Sequence, residues 1–125
     1  MKYLVEKGAK IEVKNNMNFT PLYCASKNEH LEVVKYLVES GADMETKDPF
    51  ANTPLIVASE KGNLEIVKYL IEKGANMEAK NDYKCTPLSL ASRWGHLEIV
   101  NYLVQKGADT ENGVTMRILR RGNPR

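Results

Sequence analysis

Thr20-Pro21-Leu22, Thr53-Pro54-Leu55 and Thr86-Pro87-Leu88 are copies of one tripeptide, each set 33 residues after the last. The surrounding sequence keeps the same step. Leu31-Glu32-Val33-Val34-Lys35-Tyr36-Leu37 through Gly41-Ala42 returns from Leu64 to Gly74-Ala75 and again from Leu97 to Gly107-Ala108. Self-similarity at a fixed period of about 20 to 50 residues is the signature of a stacked-repeat architecture, so the fold follows from one unit and its contacts with its copies.

Within the unit the local chemistry is helical. The Thr hydroxyl suits an N-cap and the following Pro suits the first helical position, where no amide donor is needed, so a helix starts at Pro21, Pro54 and Pro87. Leu22 with Ala25, Leu55 with Ala58 and Leu88 with Ala91 lie three apart and share a face. The small Ala admits a close neighbour. Gly62 and Gly95 tolerate positive φ and end the first helix, and a second begins around Leu31, Leu64 and Leu97. That helix carries Leu31, Val34, Leu37 and Val38 on one stripe and Glu32, Lys35 and Glu39 on the other, and Gly41 closes it. Two or three turns are too short to be stable alone in water, so the helices are held by stacking. The polar stretch from Asp43 to Asn52, with Asp48-Pro49 inside it, reads as an extended turn or hairpin.

In these motifs the chain resembles the ankyrin repeat, whose pattern of a turn, Thr-Pro-Leu-His, two Ala, Gly-His, an Ile/Val-Val pair, Leu-Leu and Gly-Ala is matched over nearly all of residues 2–112. The resemblance implies an all-α solenoid of helix-turn-helix units with hairpin-like turns. With the turn as the start of each unit, the single domain 1–125 divides into a partial repeat at 1–14, full repeats at 15–47, 48–80 and 81–113, and a degenerate repeat or cap at 114–125. The departures matter. The family's turn Gly is Asn18, Ala51 and Lys84 here, and only Asn takes a left-handed conformation cheaply. Its His after Leu is Tyr23, Ile56 and Ser89, so its turn-bracing hydrogen bond is expected to be missing from all three units. Glu29 replaces the Gly of Gly62 and Gly95, and is expected either to be strained or to shift its turn.

Composition agrees with an ordinary folded domain: of the 125 residues, 42% are apolar and 27% charged. No apolar run approaches the roughly 20 residues that span a bilayer, and charges interrupt Met1–Lys7 where a signal peptide would be apolar, which points to an intracellular protein, cytoplasmic or nuclear. The net charge is +2, but Arg117, Arg120, Arg121 and Arg125 supply more than that, so the repeats themselves are slightly acidic. Such a body is a poor match for nucleic acid, and binding through the Arg tail is disfavoured. Cys24 and Cys85 lie nearly two units apart, beyond disulfide reach, and suit a reducing compartment. Asn18-Phe19-Thr20 spells a glycosylation sequon by coincidence.

Catalysis has no visible means. His30 and His96 fall at the turn between helices, where they read as bracing residues, and the chain has no phosphate loop, no Cys-x-x-Cys, no His-Glu-x-x-His and no nucleophile elbow. The protein is therefore expected to be non-enzymatic, without cofactor or metal. Glu12, Glu45, Glu78 and Glu111 beside Lys14, Lys47 and Lys80 form charge columns that read as a solvated ladder, and the column Tyr3, Tyr36, Tyr69 and Tyr102 reads as packing.

Binding information belongs where the copies differ, because scaffold positions repeat and reading positions need not. In the turns these include Met17, Phe19, Phe50, Asn52 and Tyr83, and on the first helices Tyr23, Lys27, Ile56, Glu60, Ser89, Arg93 and Trp94. Phe50, Tyr83, Arg93 and Trp94 are of the residue types that dominate interface energetics, and Trp94, the one Trp, is expected to be an exposed anchor. The expected function is a protein-protein interaction module that holds its partner on the concave turn and first-helix surface, which the resemblance also implies; the alternative is a targeting or scaffolding fragment of a larger enzyme, channel or effector. Leu4 and Val5 at one end and Met116, Ile118 and Leu119 at the other are expected to leave apolar surface uncovered, which favours end-to-end self-association.

Overall fold

The computed structural model describes Lys14, Asn15, Met17 and residues 19–108. The expectations placed on residues 1–13, on Asn18 and on residues 109–125, self-association and the Arg cluster included, lie outside the described residues. Among the described residues six helices follow one another: α1 (Pro21–Lys27), α2 (Leu31–Glu39), α3 (Pro54–Lys61), α4 (Leu64–Glu72), α5 (Pro87–Arg93) and α6 (Leu97–Gln105). The first helices α1, α3 and α5 stack on one another in one layer, and α2, α4 and α6 form a second layer, each packed on the first helix of its own unit. No strand occurs among the described residues.

Each first helix is set by its cap. The hydroxyls of Thr20, Thr53 and Thr86 accept from the amides of Tyr23, Ile56 and Ser89 at 3.3, 3.2 and 3.1 Å. Pro occupies the first turn in all three. Ala25, Ala58 and Ala91 are buried where the stacked layers meet, and one continuous core runs from Leu22 through Leu55 to Leu88 and from Leu37 through Leu70 to Leu103. Helices this short owe their stability to that shared burial.

The helix ends repeat as faithfully as the core. The amides of His30, Asn63 and His96 return to the carbonyls of Ala25, Ala58 and Ala91 at 2.9, 3.0 and 2.8 Å. Closing that bond puts the preceding residue in the left-handed region, with φ of 64° at Glu29, 81° at Gly62 and 75° at Gly95. Glu29 therefore keeps the turn and takes the strain. Gly62 is needed twice over, because an added Cβ would also stand 2.6 Å from His96 Cε1.

Candidate functional site

The turn that opens each unit is built on one side chain. Asn15, Asp48 and Asn81 stand at equal spacing, and the Oδ1 of each accepts from two amides ahead of it: Met17 and Phe19, Phe50 and Asn52, Tyr83 and Cys85, all between 2.8 and 3.1 Å. A backbone bond of 2.9 to 3.0 Å from residue 15 to 19, 48 to 52 and 81 to 85 closes each loop. The polar stretch thus ends in a tight five-residue loop. Its fourth residue is left-handed where described, with φ of 68° at Ala51 and 63° at Lys84, as the missing Gly implies.

The third residue of each loop donates its amide to that network and projects its side chain outward. Met17, Phe50 and Tyr83 are 65%, 53% and 69% exposed. Neighbouring loops are joined, since the Asp82 amide donates to the Phe50 carbonyl at 2.9 Å and Asn81 Nδ2 donates to Asn52 Oδ1 at 2.9 Å. The Phe50 and Tyr83 rings stack with centroids 6.2 Å apart. Each of the three loops thus exposes a large side chain at its third residue, and those of the second and third loops meet.

Tyr23 and Ile56, expected to face a partner, are instead inside. Tyr23 is 4% exposed, and its hydroxyl crosses to the next unit to donate to Asp48 Oδ2 at 2.7 Å. Ile56 is fully buried and packs with Cys85 and Leu90 of the following unit. At Tyr23 and Ile56 the position after Leu faces the next repeat, so the difference between these two residues changes a junction. Ser89, at the same position, is half-buried and spends its hydroxyl on a capping box, accepting from the Thr86 amide at 2.8 Å. Without the family's His, the position still bonds in two units: Tyr23 reaches Asp48 of the next unit, and Ser89 accepts from the Thr86 amide of its own.

Asp48 is the polar centre of that junction. It is buried and accepts from the Phe50 and Asn52 amides, the Asn52 side chain and Tyr23. Burial alone would raise its pKa, but these donors, the Asn52 amide foremost, hold the carboxyl below its ordinary value. Burial raises the Tyr23 phenol well above its ordinary value, and the bond to Asp48 and that carboxylate's charge push it the same way. Nothing in the chemistry of this pair needs a ligand; it fixes one repeat against the next.

The other expected residues divide by place. Phe19 is half-buried, with its ring 4.7 Å from that of Tyr23 and the Lys27 ammonium 5.2 Å above it. Asn52 is half-buried in the loop network. Lys27 and Arg93 are exposed, Glu60 is half-buried, and Trp94, the C-cap of α5, is 58% exposed. Helix α5 separates Trp94 from Tyr83, so the seven residues of that helix, about 10 Å of rise, keep the two aromatics from forming one cluster.

His96 braces the stack, its Nε2 lying 3.0 Å from the Glu60 carbonyl of the unit before. Tyr69 and Tyr102 of the tyrosine column pack against the core: the Tyr69 hydroxyl lies 3.2 Å from the Glu39 carboxylate and 3.4 Å from the Lys35 carbonyl of the preceding unit, and Lys35 and Lys73 stand 5.9 and 5.6 Å from its ring. At Glu45 the acidic column is more than a solvated ladder, because its Oε2 accepts from the Asn76 amide of the next unit at 2.9 Å. Sequence reasoning missed Glu45 and Asp48 as junction residues. The visible signal for Asp48 was an Asn or Asp at one place in all three turns.

Paired helices stacked at constant step define a repeat solenoid. The chain belongs to the ankyrin-repeat family: the model for ankyrin repeats, three copies, matches residues 1–48 and 41–113. Ankyrin repeats are generally non-enzymatic modules of protein-protein interaction. A search of curated proteins gives no match. Among the described residues, no helix is long and apolar enough to cross a membrane, and no group of three His, Cys, Asp or Glu side chains is placed to hold a metal.

Proposed function

We propose that this chain is a non-enzymatic interaction module that holds a partner protein on the surface made by its loops and first helices. One observation carries the reading: Met17, Phe50, Tyr83 and Trp94 expose large apolar side chains at positions where neither the loop network nor the core uses them. Exposed aromatics on a rigid scaffold are the common anchors of interfaces, since they bury much surface while losing little conformational freedom. Lys27 and Arg93 on the first helices are exposed and can add charge to such an interface, while Glu60, Phe19, Asn52 and Ser89 are half-buried. The free thiols of Cys24 and Cys85 suit a reducing, intracellular setting.

Affinity capture from cell lysate with the wild-type chain and with Phe50→Ala/Tyr83→Ala/Trp94→Ala tests this. Proteins held by the wild type and released by the variant, with helical circular dichroism unchanged, are the expected result. The same proteins held by both would place the partner surface elsewhere.

A further inference from the structure

Resting on the partner-face reading above, we propose that the loop-tip row Met17, Phe50 and Tyr83 takes an extended acidic segment of a partner protein, in which apolar side chains alternate with carboxylates. The row is unusual in its economy. Each loop uses the amide of its third residue, at 2.8 Å from the Asn15, Asp48 or Asn81 side chain, and asks nothing of the side chain. An apolar group stands there three times at more than half exposure. The loops beneath are fixed to themselves and, between the second and third units, to each other, so a ligand meets a surface already ordered.

Spacing selects the ligand's conformation. The Phe50 and Tyr83 rings are 6.2 Å apart, and side chains on one face of an extended strand repeat at about 6.6 Å, two residues of roughly 3.3 Å each. A segment running past Phe50 and Tyr83 can therefore set two alternate side chains against these two tips. The side chain between them turns away from the tips.

Charge selects the chemistry of those alternate positions. Lys47, Lys80 and Lys84 are exposed within three residues of a tip, with Asp82 the exposed acid among them, and Asp48 is buried and spent on the junction. Over the loops and first helices together (14–29, 47–62 and 80–95) seven basic residues face four acidic ones. The second helices and the segments after them (30–46, 63–79 and 96–108) reverse this, with eight acids and four lysines. The module is thus polarised, with its cations on the side that carries the apolar row. Such a field draws an acidic segment in and turns a basic one away. Single-stranded nucleic acid is also anionic, but Met17 offers no stacking face and the described body as a whole carries more acids than bases, which favours the peptide.

A displayed library of random peptides selected on the wild-type chain, and counter-selected on Phe50→Ser/Tyr83→Ser, tests the assignment. Both substituted positions are exposed, and circular dichroism checks that the variant is folded. Peptides lost on the variant should be rich in Asp and Glu with apolar residues two apart. A consensus peptide, read by fluorescence anisotropy, should bind the variant about ten-fold more weakly and should weaken with added salt. Basic or uncharged consensus sequences would overturn the proposal, as would tighter row-dependent binding of a labelled single-stranded oligonucleotide. Peptides that survive Phe50→Ser/Tyr83→Ser but are lost on Lys27→Ala/Arg93→Ala/Trp94→Ala would sink the row and leave the partner face standing. Peptides indifferent to both variants would sink both.

Discussion

Where the first unit meets the second, the Tyr23 hydroxyl donates to the buried Asp48 carboxylate; where the second meets the third, the same position is Ile56, which lies against Cys85 and Leu90 with no polar atom in play. The second junction gains polar contacts elsewhere, from His96 to the Glu60 carbonyl and from Asn81 to Asn52. One backbone thus carries two kinds of seam. Because the stability of a repeat stack is close to a sum of units and nearest-neighbour interfaces, the seams can fail under different conditions even though the helices they join are nearly alike.

The apolar seam should give the largest single effect. Ile56 is fully buried, so Ile56→Ala deletes buried methylenes and leaves a cavity between units; a loss of about 3 kcal/mol is expected. Urea titration followed by circular dichroism reads it, and a loss below about 1 kcal/mol would mean that the seam closes around the gap. Gly62→Ala attacks the same junction through the backbone. At φ 81°, with its Cβ 2.6 Å from a His96 ring atom, the substitution should cost about 2 kcal/mol, and pairing it with His96→Ala should recover the part due to the clash.

The polar seam should yield less to truncation and more to pH. Tyr23→Phe removes one donor from Asp48 and leaves the other three in place, so about 1.5 kcal/mol is expected at neutral pH. Asp48 titrates lower in the folded chain than in the unfolded one, so its stabilisation is present above the unfolded value near 3.9 and is lost as pH falls through the folded one. Tyr23 titrates higher when folded, so its share is present below about 10 and is lost as pH rises beyond it. The gap between wild type and Tyr23→Phe should therefore narrow in both acid and alkali. The loss caused by Ile56→Ala should not follow that profile, and parallel profiles for the two variants would erase the distinction between the seams.

How much of this was legible follows from what repeats. Thr20, Thr53 and Thr86, the Ala and Leu columns and the Gly after each second helix do one job in every unit, so their recurrence revealed helices, layers and core. Glu29, Ala51 and Lys84 were legible as strained, because the backbone demand stays while the side chain changes. Variation was the ambiguous signal. It marks Phe50, Tyr83 and Trp94, which are exposed, and equally Tyr23 and Ile56, which are buried against the next unit. Two neighbours that differ can fit each other as well as a partner, and one sequence without its contacts does not separate the cases. Asp48 was hidden for another reason: its turn role repeats as Asn15 and Asn81, and its junction role exists only because Tyr23 reaches it.

The smallest effect expected bears on whether the two loops are as equivalent as their hydrogen bonds suggest. Ala51 and Lys84 hold the same left-handed place, φ 68° and 63°, at the first and second seams respectively. Replacing either by Gly relieves a strain of about 1–2 kcal/mol but concedes about 0.5–1 kcal/mol of extra chain entropy, so each variant should be stabilised by no more than about 1 kcal/mol. Lys84→Gly sheds an exposed side chain and should show the whole gain. Ala51→Gly gives up a half-buried methyl and should show less, although its backbone is relieved equally. Urea midpoints of the two variants and of the double variant read both points. Gains that add would mean that the loops report independent strain. A double variant no better than Lys84→Gly alone would mean that the Asp82 amide, bonded to the Phe50 carbonyl at 2.9 Å, lets relief in one loop pass to its neighbour.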